Sequence, residues 1–350
     1  MSHWSVALLA FLLSFVGTLL MRTWALGTGL LDVPNARSAH LTPTARGGGT
    51  AIVLSTSIAL GILTAMGKIE ADLYLGLGVG GLAVAVVGFL DDRYQISPWI
   101  RLVVHFGAAI WALSWLGGMP PVRWGEQTMD LGIFGDLLAL IGIVWSLNLF
   151  NFMDGIDGIA ASEAAFVCLC GAGLGIYLHV PEATISTAVV IGAASLGFLA
   201  WNWPPAKIFM GDVGSGYLGF VIAVLALASG RANGALLWAW LTLFGVFLTD
   251  ATLTLIHRLG RRERVYEPHR THAYQWLARR WSSHRRVTVA VLMINVFWLL
   301  PCASIAASQP SFAGWIVAIA LIPVGVIAAL AGAGRAESLA SGASPGSDKQ

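Results

Sequence analysis

Amid long apolar runs, the segment Asn148-Leu-Phe-Asn-Phe-Met-Asp-Gly-Ile-Asp-Gly158 carries Asn148, Asn151, Asp154 and Asp157. An ionisable residue at the end of a membrane span is costly to keep and marks a functional site by default. Asp154 and Asp157 are three residues apart and are expected on one helix face, with Gly155 and Gly158 leaving room for a ligand. A solvated turn is the plainer reading, but Phe152, Met153 and Ile156 are too apolar for it. A second acidic site is Asp91-Asp92-Arg93. Neighbours on a helix point about 100° apart, so one carboxylate is expected at a reacting centre and the other on a neighbour or a metal. The third is Asp212, flanked by Gly211, Gly214 and Gly216 just before an apolar run. Free N–H groups and the helix dipole favour phosphate there. Mg²⁺ takes one or two protein carboxylates together with substrate phosphates, so the chemistry indicated is metal-assisted handling of a phosphorylated substrate.

Basic segments accompany these acids. Arg46 precedes Gly47-Gly48-Gly49, whose N–H groups are expected to approach an anion. Arg101 and His105, four apart, share a helix face. The stretch from His257 to Arg286 holds nine arginines and reads mostly as a headgroup-contacting surface. Within it, His269, Arg270 and His272 are expected to clamp a pyrophosphate. The remaining histidines, His284 among them, read as interfacial, and Asp250 is expected to pair with a basic neighbour.

The elements that must hold these groups are membrane helices. The chain is 57% hydrophobic and 11% charged, with mean hydropathy +0.76, against about 25% charged for soluble domains. An all-α integral membrane protein follows. Its net charge of +2 gives no indication of nucleic acid. Cys168, Cys170 and Cys302 lie in apolar runs without metal or disulfide spacing. Runs long enough to span fall near 4–26, 48–66, 73–90, 99–118, 132–150, 159–178, 185–201, 216–230, 235–256, 287–307 and 312–334, eleven in all, or ten if the 216–256 region divides differently. Residues 1–334 read as one polytopic catalytic domain and 335–350 as a disordered cytoplasmic tail. With the N-terminus periplasmic, Lys68, Arg123 and Arg231 lie outside and the other 17 of 20 basic residues inside, as the positive-inside rule prefers. That same choice gathers Asp91, Asp92, Asp154, Asp157, Asp212, His269 and His272 at the cytoplasmic face.

These motifs, taken together, resemble the polyprenyl-phosphate N-acetylhexosamine-1-phosphate transferases (the MraY/WecA-like superfamily), most closely the WbpL-type enzymes of O-antigen initiation. The resemblance rests on Asp32-Val-Pro-Asn35, Arg46-Gly-Gly-Gly49, Asp91-Asp92, Asn151-Phe-Met-Asp-Gly-Ile-Asp-Gly158, Phe209-Met-Gly-Asp-Val-Gly-Ser215 and His269-Arg-Thr-His-Ala-Tyr-Gln275. It implies transfer of a sugar phosphate from a UDP-N-acetylhexosamine to undecaprenyl phosphate in the bacterial inner membrane, with Mg²⁺ (or Mn²⁺) and release of UMP. A homodimer among the membrane lipids is a further expectation. By resemblance, Asp212 is a metal ligand with Asp154 beside it. Asp157 and Phe209 hold the uracil, and Asn151, Asp154 and Asn202 line the nucleotide site. Asp91 is the base or nucleophile with Asp92 next to it, and His269 and His272 form the histidine motif. The chain departs from the family at Ala45, where relatives often have Pro, and at Arg101, where many have Lys. It lacks the three consecutive histidines of the muramoyl-pentapeptide transferases, so a simple hexosamine (GlcNAc, FucNAc or QuiNAc) is expected. The competing class is a transporter of a nucleotide-sugar or lipid-linked anion, against which the charges gather at one face rather than crossing the midplane.

Overall fold

A computed structural model describes residues 2–33, 42–263 and 269–335. Its helices are α1 (His3–Thr28), α2 (Gly49–Ala65), α3 (Ala71–Tyr94), α4 (Pro98–Leu116), α5 (Gly132–Met153), α6 (Ile159–Tyr177), α7 (Glu182–Asn202), α8 (Asp212–Ala232), α9 (Gly234–Leu243), α10 (Gly245–Gly260), α11 (Ala273–Trp281), α12 (His284–Ile294), α13 (Leu300–Ser308) and α14 (Ala313–Ala331). A π-turn, Asn295–Leu299, joins α12 to α13. A 3-10 turn, Pro310–Phe312, precedes α14, and two small antiparallel pairs complete the described elements: β1 (Leu31–Asp32) with β2 (Thr44–Ala45), and β3 (Val122–Trp124) with β4 (Gln127–Met129). Pro34 and Asn35, Glu267 and Pro268, and the tail at 336–350 lie outside the described residues.

Among the described residues, nine helical segments are long and apolar enough to cross a membrane, and α9 with α10 makes a tenth if counted as one span. The 17-residue α2 is a shorter apolar helix. The outer helices present Leu8, Leu20, Val103, Ile110, Ile319 and Leu330 outward. A helix apolar all round belongs either in lipid or in a core, and α8 takes the core position, packed against α2, α3, α5 and α9. Small residues allow such close packing without a hydrophobic driving force in lipid. A side chain at Gly88 on α3 would meet the Asp212 carbonyl oxygen at 2.5 Å, and one at Gly49 would strike the Gly214 backbone. These two glycines seat the N-terminus of α8 against α3 and α2.

The span expected at 235–256 is not straight: α9 and α10 meet at 68°. Gly245 opens α10, and the Thr249 hydroxyl donates back to the Gly245 carbonyl at 2.6 Å. Glycine and back-bonded hydroxyls are both causes of helix bending. Asp212 begins α8 and Arg231 stands one residue from its end. That helix is about 30 Å long, so the two bundle ends are separated by roughly the hydrocarbon thickness. Arg231 donates to the Gly117 and Gly118 carbonyls at the end away from Asp212.

Candidate active site

The site is assembled first by backbone. Phe209 N–H donates to the Ala45 carbonyl at 2.8 Å, Gly48 N–H to the Phe209 carbonyl at 2.9 Å, and Gly49 N–H to the Met210 carbonyl at 2.9 Å. This zipper lays the 44–49 segment beside 208–210 and brings Arg46 to Asp212. It also corrects an expectation from sequence: the Gly48 and Gly49 N–H groups are spent on carbonyls and do not face an anion.

A chain of charges then crosses the helix ends. Arg46 contacts Asp92 through Nε and Asp212 through Nη2, each at 2.8 Å. Arg101, from the first turn of α4, bridges Asp91 at 2.5 Å and Asp212 at 3.0 Å. Asp91 also accepts from Ile96 N–H at 2.7 Å. The adjacent carboxylates do point to different partners. Asp92, fully buried, accepts from Asp212 N–H at 2.9 Å and Val213 N–H at 3.2 Å. It therefore caps α8 from another helix. The expectation that the α8 N-terminus offers open amides to phosphate is corrected by that cap. Burial opposes the Arg46 charge, but Asp92 and Asp212 outweigh it and hold the guanidinium more firmly protonated than usual.

Asp154 and Asp157 do not share a helix face, because α5 stops at Met153 and residues 154–158 form a non-helical link to α6. Glycines at 155 and 158 and the Asp side chains favour that turn over a continued helix. Burial, then the nearby Asp212 charge, pushes the Asp154 carboxyl well above the usual carboxylate range. Asn151 donates to Ser215 Oγ at 3.2 Å, tying α5 to α8. Asp157 accepts from Ala206 N–H at 3.0 Å and lies 3.2 Å from His284 Nδ1. Asn202 is buried; its carbonyl oxygen accepts from Gly158 N–H and one of its two N–H groups donates to the Ile208 carbonyl, both at 2.9 Å. It thereby braces the 158 turn.

Beside this turn lies a cleft of about 740 Å³ lined by Asp157, Pro204, Arg270, Arg279, His284 and Arg285, among others. Asp157 and Arg270 are the expected site residues that line it. Phe209 is half-buried nearby in sequence but does not. The histidine segment packs against Phe152, at the end of α5. His269 and His272 stack at 4.9 Å, and Phe152 stands 6.0 Å from each. Burial, then the neighbouring His272, pushes His269 down to about 3. At neutral pH it is uncharged, so it does not clamp a pyrophosphate as a cation. His272 is buried 3.5 Å from Asp250. Asp250 accepts from Ala273 N–H at 2.9 Å and Tyr274 N–H at 3.1 Å. It caps the N-terminus of α11, and the basic neighbour expected for it is His272. Tyr274 then donates to the Phe152 carbonyl at 2.8 Å.

Sequence reasoning missed His284, read as interfacial, and the capping use of Asp92 and Asp250. No local signal announces either, since both depend on contacts distant in sequence. Among the described residues, no three His, Cys, Asp or Glu side chains converge as a metal cage.

The motifs gathered here lie largely within a region, residues 74–230, that matches glycosyl transferase family 4. The chain is 29% identical to a probable undecaprenyl-phosphate N-acetylglucosaminyl 1-phosphate transferase of Bacillus subtilis, over 92% of this chain and 91% of that one. It is 30% identical to a decaprenyl-phosphate N-acetylglucosaminephosphotransferase of Mycobacterium tuberculosis, over 82% and 78%. A phospho-N-acetylmuramoyl-pentapeptide-transferase of Synechococcus elongatus is 34% identical over half of each chain. Similarity of this extent, running through the Asp91, Asp154 and Asp212 motifs, makes the chain a member of the polyprenyl-phosphate N-acetylhexosamine-1-phosphate transferase superfamily.

Proposed function

We propose that this protein transfers an N-acetylhexosamine-1-phosphate from a UDP-sugar to undecaprenyl phosphate in the bacterial inner membrane. The products are undecaprenyl-diphosphate-sugar and UMP, and the step initiates O-antigen or another cell-envelope polysaccharide. The observation that carries the reading is Asp212, held between Arg46 and Arg101 at the bundle end where Asp91, Asp92 and Asp154 also meet. Its support from relatives is that two are named as polyprenyl-phosphate N-acetylglucosamine phosphate transferases. The positive-inside count supports a cytoplasmic position for this end.

Four aspartates (91, 92, 154 and 212) face two arginines (46 and 101), so carboxyl groups outnumber guanidinium groups at this end. A divalent cation there would favour the ionised carboxylates, and magnesium binds readily through one or two carboxylates and substrate phosphates. Asp212 and Asp154 would hold it, and bound there it neutralises the donor diphosphate. In the reaction, an oxygen of the lipid phosphate attacks the β-phosphorus. The bond from that phosphorus to the bridging oxygen breaks, and UMP leaves with the electron pair. A lipid phosphate with second pKa near about 6 is mostly dianionic at neutral pH, so it needs orientation more than deprotonation. Asp91 supplies orientation beside Arg101, and Asp92 acts as a positioning residue that fixes α8 and Arg46. Asp157 in the cleft takes the uracil, and Arg270 faces the donor from the other wall. The histidine segment, with His269 and His272, closes the site behind Phe152.

The test is UMP release by solubilised protein given UDP-GlcNAc, undecaprenyl phosphate and Mg²⁺, repeated with other UDP-N-acetylhexosamines. Asp212→Ala is expected to abolish release, and Glu126→Ala, exposed at the opposite end, to leave it intact. Wild-type turnover by Asp212→Ala, or no release with any UDP-sugar, would overturn the proposal.

A further inference from the structure

Asp157 is held from two directions by one helix. The His284 ring, at the first residue of α12, places Nδ1 3.2 Å from the Asp157 carboxylate. One turn on, the Thr288 hydroxyl donates to the Asp157 main-chain carbonyl at 2.9 Å. Residues four apart on a helix share a face, so α12 offers a two-point clamp. Nδ1 is also 3.5 Å from the Asp157 main-chain N–H, which donates to it. Helix α12 thus holds the Asp157 main chain at both its N–H, through His284, and its carbonyl, through Thr288, with the ring standing against the carboxylate. The second Asp157 oxygen accepts from Ala206 N–H, and Asp157 and His284 both line the 740 Å³ cleft with Arg270, Arg279 and Arg285. Without the clamp, the carboxylate could turn toward those guanidinium groups.

We infer that His284 and Thr288 are positioning residues that aim the Asp157 carboxylate at the donor's nucleobase, and so set affinity for the UDP-sugar without touching the reacting atoms. The inference rests on the reading of Asp157 as the nucleobase-binding carboxylate. Its test is steady-state kinetics of full-length protein with UDP-GlcNAc and saturating undecaprenyl phosphate. His284→Ala is expected to raise KM for the donor about tenfold, the scale of one lost hydrogen bond, with kcat within about twofold of wild type. His284→Gln, whose amide carbonyl can still accept, recovers most of that affinity. Thr288→Val, nearly isosteric, raises KM about threefold. In an Asp157→Asn background, His284→Ala adds nothing further, because a residue acting only through another shows no independent effect. An unchanged KM in His284→Ala, beside a raised one in Asp157→Asn, overturns the clamp alone. So does a His284→Ala penalty that persists in full in the Asp157→Asn background, or a loss confined to kcat. An unchanged KM in Asp157→Asn itself overturns the reading of Asp157, and the clamp falls with it.

Discussion

Replacing Gly88 with alanine adds one methyl group at the point where α3 touches the first residue of α8. That carbon would lie 2.5 Å from the Asp212 carbonyl oxygen, 2.6 Å from its carbonyl carbon and 2.7 Å from Val213 N. All three are backbone atoms, so no rotamer change relieves the contact. Ordinary van der Waals contact begins at 3.4 Å, so the helices must part by the 0.9 Å between 3.4 and 2.5 Å. Such overpacking costs about 1–3 kcal/mol of stability. The same displacement carries Asp212 away from Arg46 and Arg101, and a misplacement of about 1 Å costs roughly 100-fold in rate. Turnover of Gly88→Ala, followed as UMP release in detergent, is therefore expected to fall about 100-fold with the protein still folded. Gly107→Ala serves as the control, because nothing lies within 4 Å of its added carbon, and its turnover should match wild type. Should Gly88→Ala keep more than half of wild-type turnover, the claim that this close approach seats Asp212 would be wrong.

Other outcomes follow from the same contacts. Asp92→Asn removes the charge that caps α8 and pairs Arg46, at a cost of about 1.5–3 kcal/mol. Its melting temperature and turnover should fall together, and lost turnover at an unchanged melting temperature would instead make Asp92 a reacting group. Asp154 ionises against burial and the Asp212 charge, so its native pKa lies above its unfolded value. Stability is then lost as pH rises from the unfolded value, about 3.9, through the native one. Asp154→Asn should accordingly melt higher than wild type at neutral pH, with the gap closing in acid, while losing activity. An equal gap at all pH values would refute this. His269, held down to about 3, stays neutral across the working range, so His269→Gln should leave any acid limb of the pH–rate profile between pH 5 and 8 unmoved. Asp250→Asn weakens the cap on α11 and should cost about 1 kcal/mol, read as a lower melting temperature.

Much of this arrangement was legible in the chain because membrane helices write themselves in hydropathy, and because acids stand out against apolar runs. Asp91, Asp154 and Asp212 could be picked from their surroundings, Arg46 from the glycines after it and Arg101 from the helix face it shares with His105. What stayed hidden was how hydrogen-bond capacity is allotted. The glycines after Arg46 and at the start of α8 looked like anion cradles, yet Phe209, Met210 and Asp92 use those amides. Asn202 looked like a ligand contact, and its tie between Gly158 and Ile208 could not be read from sequence. The helical spacing of Asp154 and Asp157 gave way to a turn because α5 ends first. His284 could not be found from sequence at all: its role exists only through Asp157, 127 residues away.

The two helix starts at this end, those of α8 and α11, are finished by carboxylates borrowed from α3 and α10. A segment swapped in from a relative would therefore arrive without its stopper unless the donor helix travelled with it. The smallest exchangeable part of this enzyme is then a pair of helices, consecutive for α10 and α11 but far apart in the chain for α3 and α8. Chimeras that respect only loop boundaries should misassemble, and those that carry residue 92 with 212, or 250 with 273, should work.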